Sequence, residues 1–328
     1  MEVEYLIFGQ LTREYLLPAA GEPRLDVAGG SLLYAAGGFG VWASGAGLVA
    51  RVGDDYPRGW LNECKSRGFD TTGIRILPHS LDVREFIAYN ESFEANRVNP
   101  ISHFARRGMT FPKSLLGYQS EKNDSEARTL TVLDIPEDYL GARAAHLCPM
   151  DLISQMQLIA GLKRGRTHSF TLDPAPASMT PRARRELPAL LNGVTVFLPS
   201  EEEICSLFQG ETYDLWEMAE AIALYGCEYV VIKRGALGQL LYIAQTKQRF
   251  EIPAYPVRMV DPTGAGDAFC GGFLAGYCKN YDPVEGVLHG NISASLKIEG
   301  CGAFYPMDVL PGLAEARLNM LKDEVRRV

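Results

Sequence analysis

Short, mainly apolar runs alternate with helix-period segments along most of this chain, and that alternation limits its folds more than any other feature. The runs are 5–8, 129–133, 145–148, 169–173, 194–198 and 229–233, the first ending at Gly9. Between them, 152–164, 181–191 and 215–226 carry helical patterns. Strands alternating with helices predict an α/β fold with a mainly parallel sheet covered on both faces. Ligands of such sheets bind beyond the carboxyl ends of the strands, where Asp173, Ser200 and Gly235 fall. A chain of 328 residues can bury a large core, as one α/β domain or as one with an appendage.

The stretch Asp261-Pro262-Thr263-Gly264-Ala265-Gly266-Asp267 runs into an apolar, small-residue segment, 268–277. It reads as a glycine-punctuated turn opening a helix, with a carboxylate in the first helical turn. Leading amides of a helix lack internal partners and carry partial positive charge, and glycines let an anion approach them closely. A carboxylate beside an anion hole suits phosphoryl transfer to an alcohol, which needs charge stabilisation and a proton acceptor together. On helix rules alone Asp267 could equally be a cap.

The nine residues 261–269 resemble the C-terminal signature of the ribokinase/PfkB family of carbohydrate kinases. Gly29-Gly30, a small-residue segment and then Val52-Gly53-Asp54-Asp55-Tyr56-Pro57-Arg58-Gly59 resemble the family's first signature. The resemblance spans almost the whole chain. It implies a ribokinase-like three-layer α/β/α sandwich over 1–328, a single domain with a small β lid built from segments about 10–28 and 80–130. Residues 91–126, polar and basic without a clear helix period, look like an insertion. Arg84, Arg97, Arg106 and Arg107 could reach an anionic substrate from there.

By the same resemblance ATP is the phosphoryl donor, Asp267 the general base, and the amides of Gly264, Ala265 and Gly266 the anion hole. There is no P-loop motif; instead Lys233, Gly235 and Gly238, in a strand and two-glycine turn, match the family's nucleotide-contacting segment. Thr263 joins them, and Asn291 matches a position that lines the adenine pocket. Mg²⁺ is expected with ATP, held through water by Glu203, where Ser200 stands in place of the family's Asn; 200–203 also reads as a helix capping box. Asp261 matches the carboxylate with which relatives hold a monovalent cation such as K⁺. On the acceptor side Gly29 and Gly30 are kept, but Glu14 replaces an Asp and Tyr34 an Asn. Tyr34 could stack on a ring or belong to the core. The acceptor is therefore expected to be a sugar or related polyol, with a nucleoside kinase or a non-catalytic sensor as alternatives.

Other classes are less compatible with the chain. A net charge of -8 argues against nucleic acid or an anionic membrane as partner. Residues 27–50 carry no charge, long enough to suggest a membrane span, but their Gly and Ser content favours a buried helix against the sheet. Seven scattered cysteines without a Cys-x-x-Cys favour reduced thiols and a cytoplasmic protein, and the N-terminus lacks the pattern of a signal peptide. The resemblance leaves monomer and homodimer both open.

Overall fold

Strand Tyr5–Phe8 shows how the central sheet is built. Leu6, Ile7 and Phe8 have no exposed surface; Ile7 joins one apolar core, Leu6 and Phe8 another. Successive strand residues point to opposite faces, so a continuous apolar run means a strand buried on both. The same split recurs in Tyr229–Lys233, where Val231 enters the first core and Val230 and Ile232 the second. Two cores on either side of one sheet make three layers.

The computed structural model describes residues 3–119 and 125–328. In chain order the strands are β1 (Tyr5–Phe8), β2 (Thr12–Leu17), β3 (Arg24–Gly29), β4 (Ala46–Val52), β5 (Ile74–Ile76), β6 (Arg84–Tyr89), β7 (Ala95–Asn96), β8 (Ala144–Leu147), β9 (Ser169–Leu172), β10 (Val196–Phe197), β11 (Tyr229–Lys233), β12 (Gln239–Ile243), β13 (Gln248–Ile252) and β14 (Arg326–Arg327). Among the described residues a ten-stranded sheet has the order β14-β13-β12-β11-β10-β9-β8-β1-β4-β5. It is parallel from β5 to β11 and antiparallel from β11 to β14. A second sheet, β3-β2-β6-β7, is mixed: β2 pairs antiparallel with β3 and parallel with β6.

The uncharged stretch 27–50 becomes the end of β3, the helix Ser31–Gly40 and β4. No described helix is long and apolar enough to cross a membrane. One glycine of the stretch, Gly38, packs closely against the helix Ala265–Asn280. A Cβ on Gly38 would lie 1.9 Å from the Ala268 carbonyl oxygen, and one on Gly271 1.8 Å from that of Ala35. The two helices therefore touch backbone to backbone.

Three expectations need correction. Residues 129–133 form no strand but lead into a 3-10 turn, Val132–Asp134, with Leu133 86% exposed. Both neighbours of β1 are already β4 and β8, and the segment is held instead by buried Asp134. That carboxylate takes Arg51 at 2.7 Å and Arg75 at 3.4 Å, and closes a capping box with Thr131. The pattern at 181–191 divides into a 3-10 turn, Ala183–Arg185, and a short helix, Leu187–Leu191; Pro188 lacks the amide that a continuous helix would need. Within 91–126 the helix Pro100–Arg106 does form. It has two turns and one buried residue, Phe104, too few for a visible period. Phe104 and Leu115 pack on Tyr15, Leu17, Phe86 and Ala88, covering one face of the second sheet. By strand parity Glu14 and Tyr89 lie on the other face.

Candidate active site

The signature loop is set by Asp261. Its Oδ1 accepts the Thr263 amide at 3.0 Å, and the Ala265 amide donates to the Pro262 carbonyl at 3.1 Å. The resulting turn places Gly264 at φ +71° as the cap of helix Ala265–Asn280. A side chain there would also strike Tyr34, whose Cγ would lie 2.0 Å from a Cβ. One of the three amides expected in the anion hole is thus engaged by the chain itself: that of Ala265 closes the turn. Gly264 and Gly266 remain as its candidates, and Gly266 is exposed.

Asp267 follows in the first turn, half-buried by surface although protein crowds its carboxyl. Burial first, then the charge of Asp173, pushes its pKa up to about 7. Asp173 follows β9, at the ligand-binding edge where the sequence placed it without assigning it a role. The available signal was an acid ending a buried strand immediately before Pro174. Burial likewise raises Asp173, to about 6, against the pull of Lys233. Lys233, at the end of β11, donates from Nζ to Asp173 Oδ1 at 2.7 Å and to Cys270 Sγ at 3.7 Å. Burial alone would lower its pKa, but the charges of Asp173 and Glu203 outweigh it and raise it, so the ammonium persists. A Cβ on Gly266 would lie 3.8 Å from that ammonium. A permanent cation, glycine amides and an elevated carboxylate therefore converge on one helix start.

Around this centre the nucleotide-side residues are arranged by β11 and β12. Gly235 and Gly238 turn the hairpin at φ +54° and +85°, and a Cβ on Gly238 would meet the Ile252 carbonyl oxygen at 2.1 Å. Asn291 is buried, and its amide is spent on the chain. Nδ2 donates to Gln239 Oε1 at 2.7 Å and to the Pro253 carbonyl at 2.9 Å, while Oδ1 accepts the Tyr255 amide. It shapes a wall rather than presenting its amide to a ligand. Ser200 and Glu203 form the capping box: Ser200 Oγ accepts the Glu203 amide at 3.2 Å, and Glu203 Oε2 accepts the Ser200 amide at 2.7 Å. Glu203 is close enough for its charge to act on both Asp173 and Lys233.

On the acceptor side Glu14 and Tyr34 meet each other. Glu14 Oε2 accepts the Tyr34 hydroxyl at 2.6 Å, and Oε1 accepts the Gly30 amide at 2.9 Å. Both residues are almost wholly buried, and burial raises the pKa of each. Gly29 is required by the carboxylate, since a Cβ would lie 1.9 Å from Glu14 Cδ; Gly30 has φ +98°. Tyr34 thus lays its ring on Gly264, the position expected to cradle phosphate, instead of an open cleft. The second sheet reaches the same loop through Tyr89, whose hydroxyl lies 2.9 Å from Thr263 Oγ1.

The four arginines singled out for an anionic substrate fare unequally. Arg84 is bound by Asp82 and the carbonyls of Ser114 and Leu116, Arg97 by Glu85, and Arg107 by the Pro18 carbonyl. Arg106 is exposed. A cavity of about 260 Å³ opens past the ends of β1 and β8, lined by Gly9, Gln10, Leu130, Met150 and Asp151 among others. Arg128 donates to Gln10 there.

Known proteins share this architecture. The family model described as pfkB family carbohydrate kinase matches residues 139–309. A cytidine kinase of Thermococcus kodakarensis is 27% identical over 288 residues, 86% of this chain and 91% of that protein. A putative ribokinase II from E. coli, in complex with ATP and Mg²⁺, superposes with a TM-score of 0.70 at 18% identity, covering 97% of this chain and 99% of that one. A fructokinase double mutant of Vibrio cholerae, bound to fructose, ADP and potassium, gives 0.72 at 19% identity, with 97% and 98% covered. At these identities the two structural likenesses are likenesses of fold.

Proposed function

The chain belongs to the pfkB family of carbohydrate kinases, and on that footing we propose that Asp267, Lys233 and the glycines of the 261–266 loop carry its chemistry. The protein is an ATP-dependent kinase that phosphorylates a hydroxyl of a sugar or nucleoside. The observation that carries the assignment of roles is the meeting of three groups at the start of one helix. Asp267, with a pKa near neutrality, takes the proton of the acceptor hydroxyl. The Gly264 and Gly266 amides face the charge that develops on the transferred phosphoryl group. Lys233, kept charged by Asp173, lies beside Gly266 to attract the same phosphates.

Mg²⁺ suits this corner, since Glu203 and Asp173 are two carboxylates close to Lys233. They would hold it mainly through water, where it would neutralise phosphate charge. Glu14 and Tyr34, bonded to each other, back the phosphate loop from the acceptor side, and Gly29 and Gly30 let them approach. The second sheet acts as a lid whose Tyr89 latches on Thr263. Unpaired thiols at all seven cysteines fit a cytoplasmic enzyme.

Within this activity the cavity past β1 favours a nucleoside. Leu130 and Met150 offer apolar wall for a base. Mg-ATP turnover across nucleosides, pentoses, hexoses and polyols tests both levels. A nucleoside as best acceptor supports this reading, and a free sugar as best acceptor overturns it while leaving the kinase. ATP binding without transfer to any of them would favour a sensor.

The pH profile follows from the carboxylates. Because the base must be ionised and its pKa is raised, kcat/KM is expected to fall tenfold per unit as pH drops below about 7, and to level off above it. Asp173→Asn removes the charge that contributes most to that rise after burial, so the acid limb should move to lower pH. A limb that stays in place in the variant would show that another group controls it.

A further inference from the structure

Lys297 has no exposed surface, yet it ends in a charge. It lies at the end of helix Pro283–Ile298, and its Nζ donates to the Asp261 carbonyl at 3.2 Å, Asp261 Oδ2 at 3.4 Å and the Gly300 carbonyl at 3.1 Å. Two carbonyls and a carboxylate are hard oxygen donors of the kind that hold small cations. The Tyr34 ring, 5.4 Å away, closes another side. A buried ion pair adds little stability over an apolar pair of similar volume. Burial indeed pulls the Lys297 ammonium below its ordinary pKa, with Asp261 opposing. A packing role alone would be served by methionine.

Asp261 is where relatives suggested a monovalent cation, and the fructokinase of this fold is bound to potassium. The residues here do not fit an added ion at Asp261, because the ammonium already stands among the oxygens that would surround it. We propose that Lys297 is a tethered monovalent cation, a positioning residue that fixes Asp261 and makes phosphoryl transfer independent of potassium. The chain of contacts is short. Lys297 fixes Oδ2 and the carbonyl of Asp261; Asp261 Oδ1 fixes the Thr263 amide; the turn then sets Gly264 and the start of the catalytic helix.

The inference rests on the kinase reading for its rate measurement but not for its thermal one. Wild type, Lys297→Ala and Lys297→Met are compared in potassium, methylammonium and tetramethylammonium chloride at constant ionic strength. Wild-type rate and melting temperature should be the same in all three. In tetramethylammonium, Lys297→Ala should lose about 100-fold in rate, the scale expected of a displaced reacting group. Potassium or methylammonium should return about tenfold of it and raise the melting temperature by about 3 °C. Lys297→Met, its space filled, should be slow in every salt and gain nothing. A wild type that requires potassium, or a Met variant as fast as wild type, overturns the proposal even if the Ala variant does not fold. If no acceptor is turned over, the kinase reading fails, and a potassium-specific thermal gain confined to Lys297→Ala still decides this one.

Discussion

Asp267→Asn is expected to lower the rate of phosphoryl transfer by about 10²- to 10⁴-fold, the usual worth of a positioned general base. The amide keeps the shape of the carboxylate and its place in the first helical turn, but it cannot take a proton. ATP binding should change little or tighten, because one negative charge leaves a corner already holding Asp173 and Glu203. Stability should stay within about 1 kcal/mol: the lost interaction with the helix N-terminus is of that size, and relief of repulsion from Asp173 offsets it. Single-turnover rates beside a nucleotide titration separate the two effects. A variant within threefold of wild type would refute the general-base role of Asp267.

Gly271→Ala is expected to destabilise the protein by about 3 kcal/mol, at the upper end of what overpacking one methyl group does. The added carbon would fall 1.8 Å from the Ala35 carbonyl oxygen, with the Phe39 amide nitrogen 2.9 Å away. Neither is a side chain that can turn aside. The helices Ser31–Gly40 and Ala265–Asn280 must move apart, and Tyr34 and Gly264 with them, so activity should fall together with stability. Gly59→Ala is the control. It lies in helix Arg58–Ser66 with open space around it, and alanine there should stabilise by about 0.5–1 kcal/mol. Urea denaturation of both variants gives the comparison, and equal midpoints would refute the close contact.

What the sequence made legible follows from which interactions are local. β1 and β11 could be read with their ends because burial on both faces writes an unbroken apolar run. The turn into Asp267 was equally plain, since glycine spacing and an acid in the first turn are short-range signals. The run at 129–133 misled for the opposite reason: its fate depends on Arg51 and Arg75, more than fifty residues away, drawing Asp134 inward. Asp173 could be placed at a strand end but not given a role, because that role appears only when Lys233 arrives from a strand two places over. Glu14 was read as facing an acceptor, and Tyr34 either as stacking on one or as part of the core, which it joins. Their bond to one another joins residues twenty apart on different elements, a pairing no periodicity encodes.

The glycine contact between the two central helices also sorts the chain into parts that can diverge and parts that cannot. Any descendant that enlarges Gly38 or Gly271 must rebuild both helices at once, so single mutational steps there are closed. The covering segment around Phe104 and the cavity wall at Leu130 and Met150 are built from side chains instead. New acceptors should therefore be acquired along that rim, leaving the inherited helix pair unaltered.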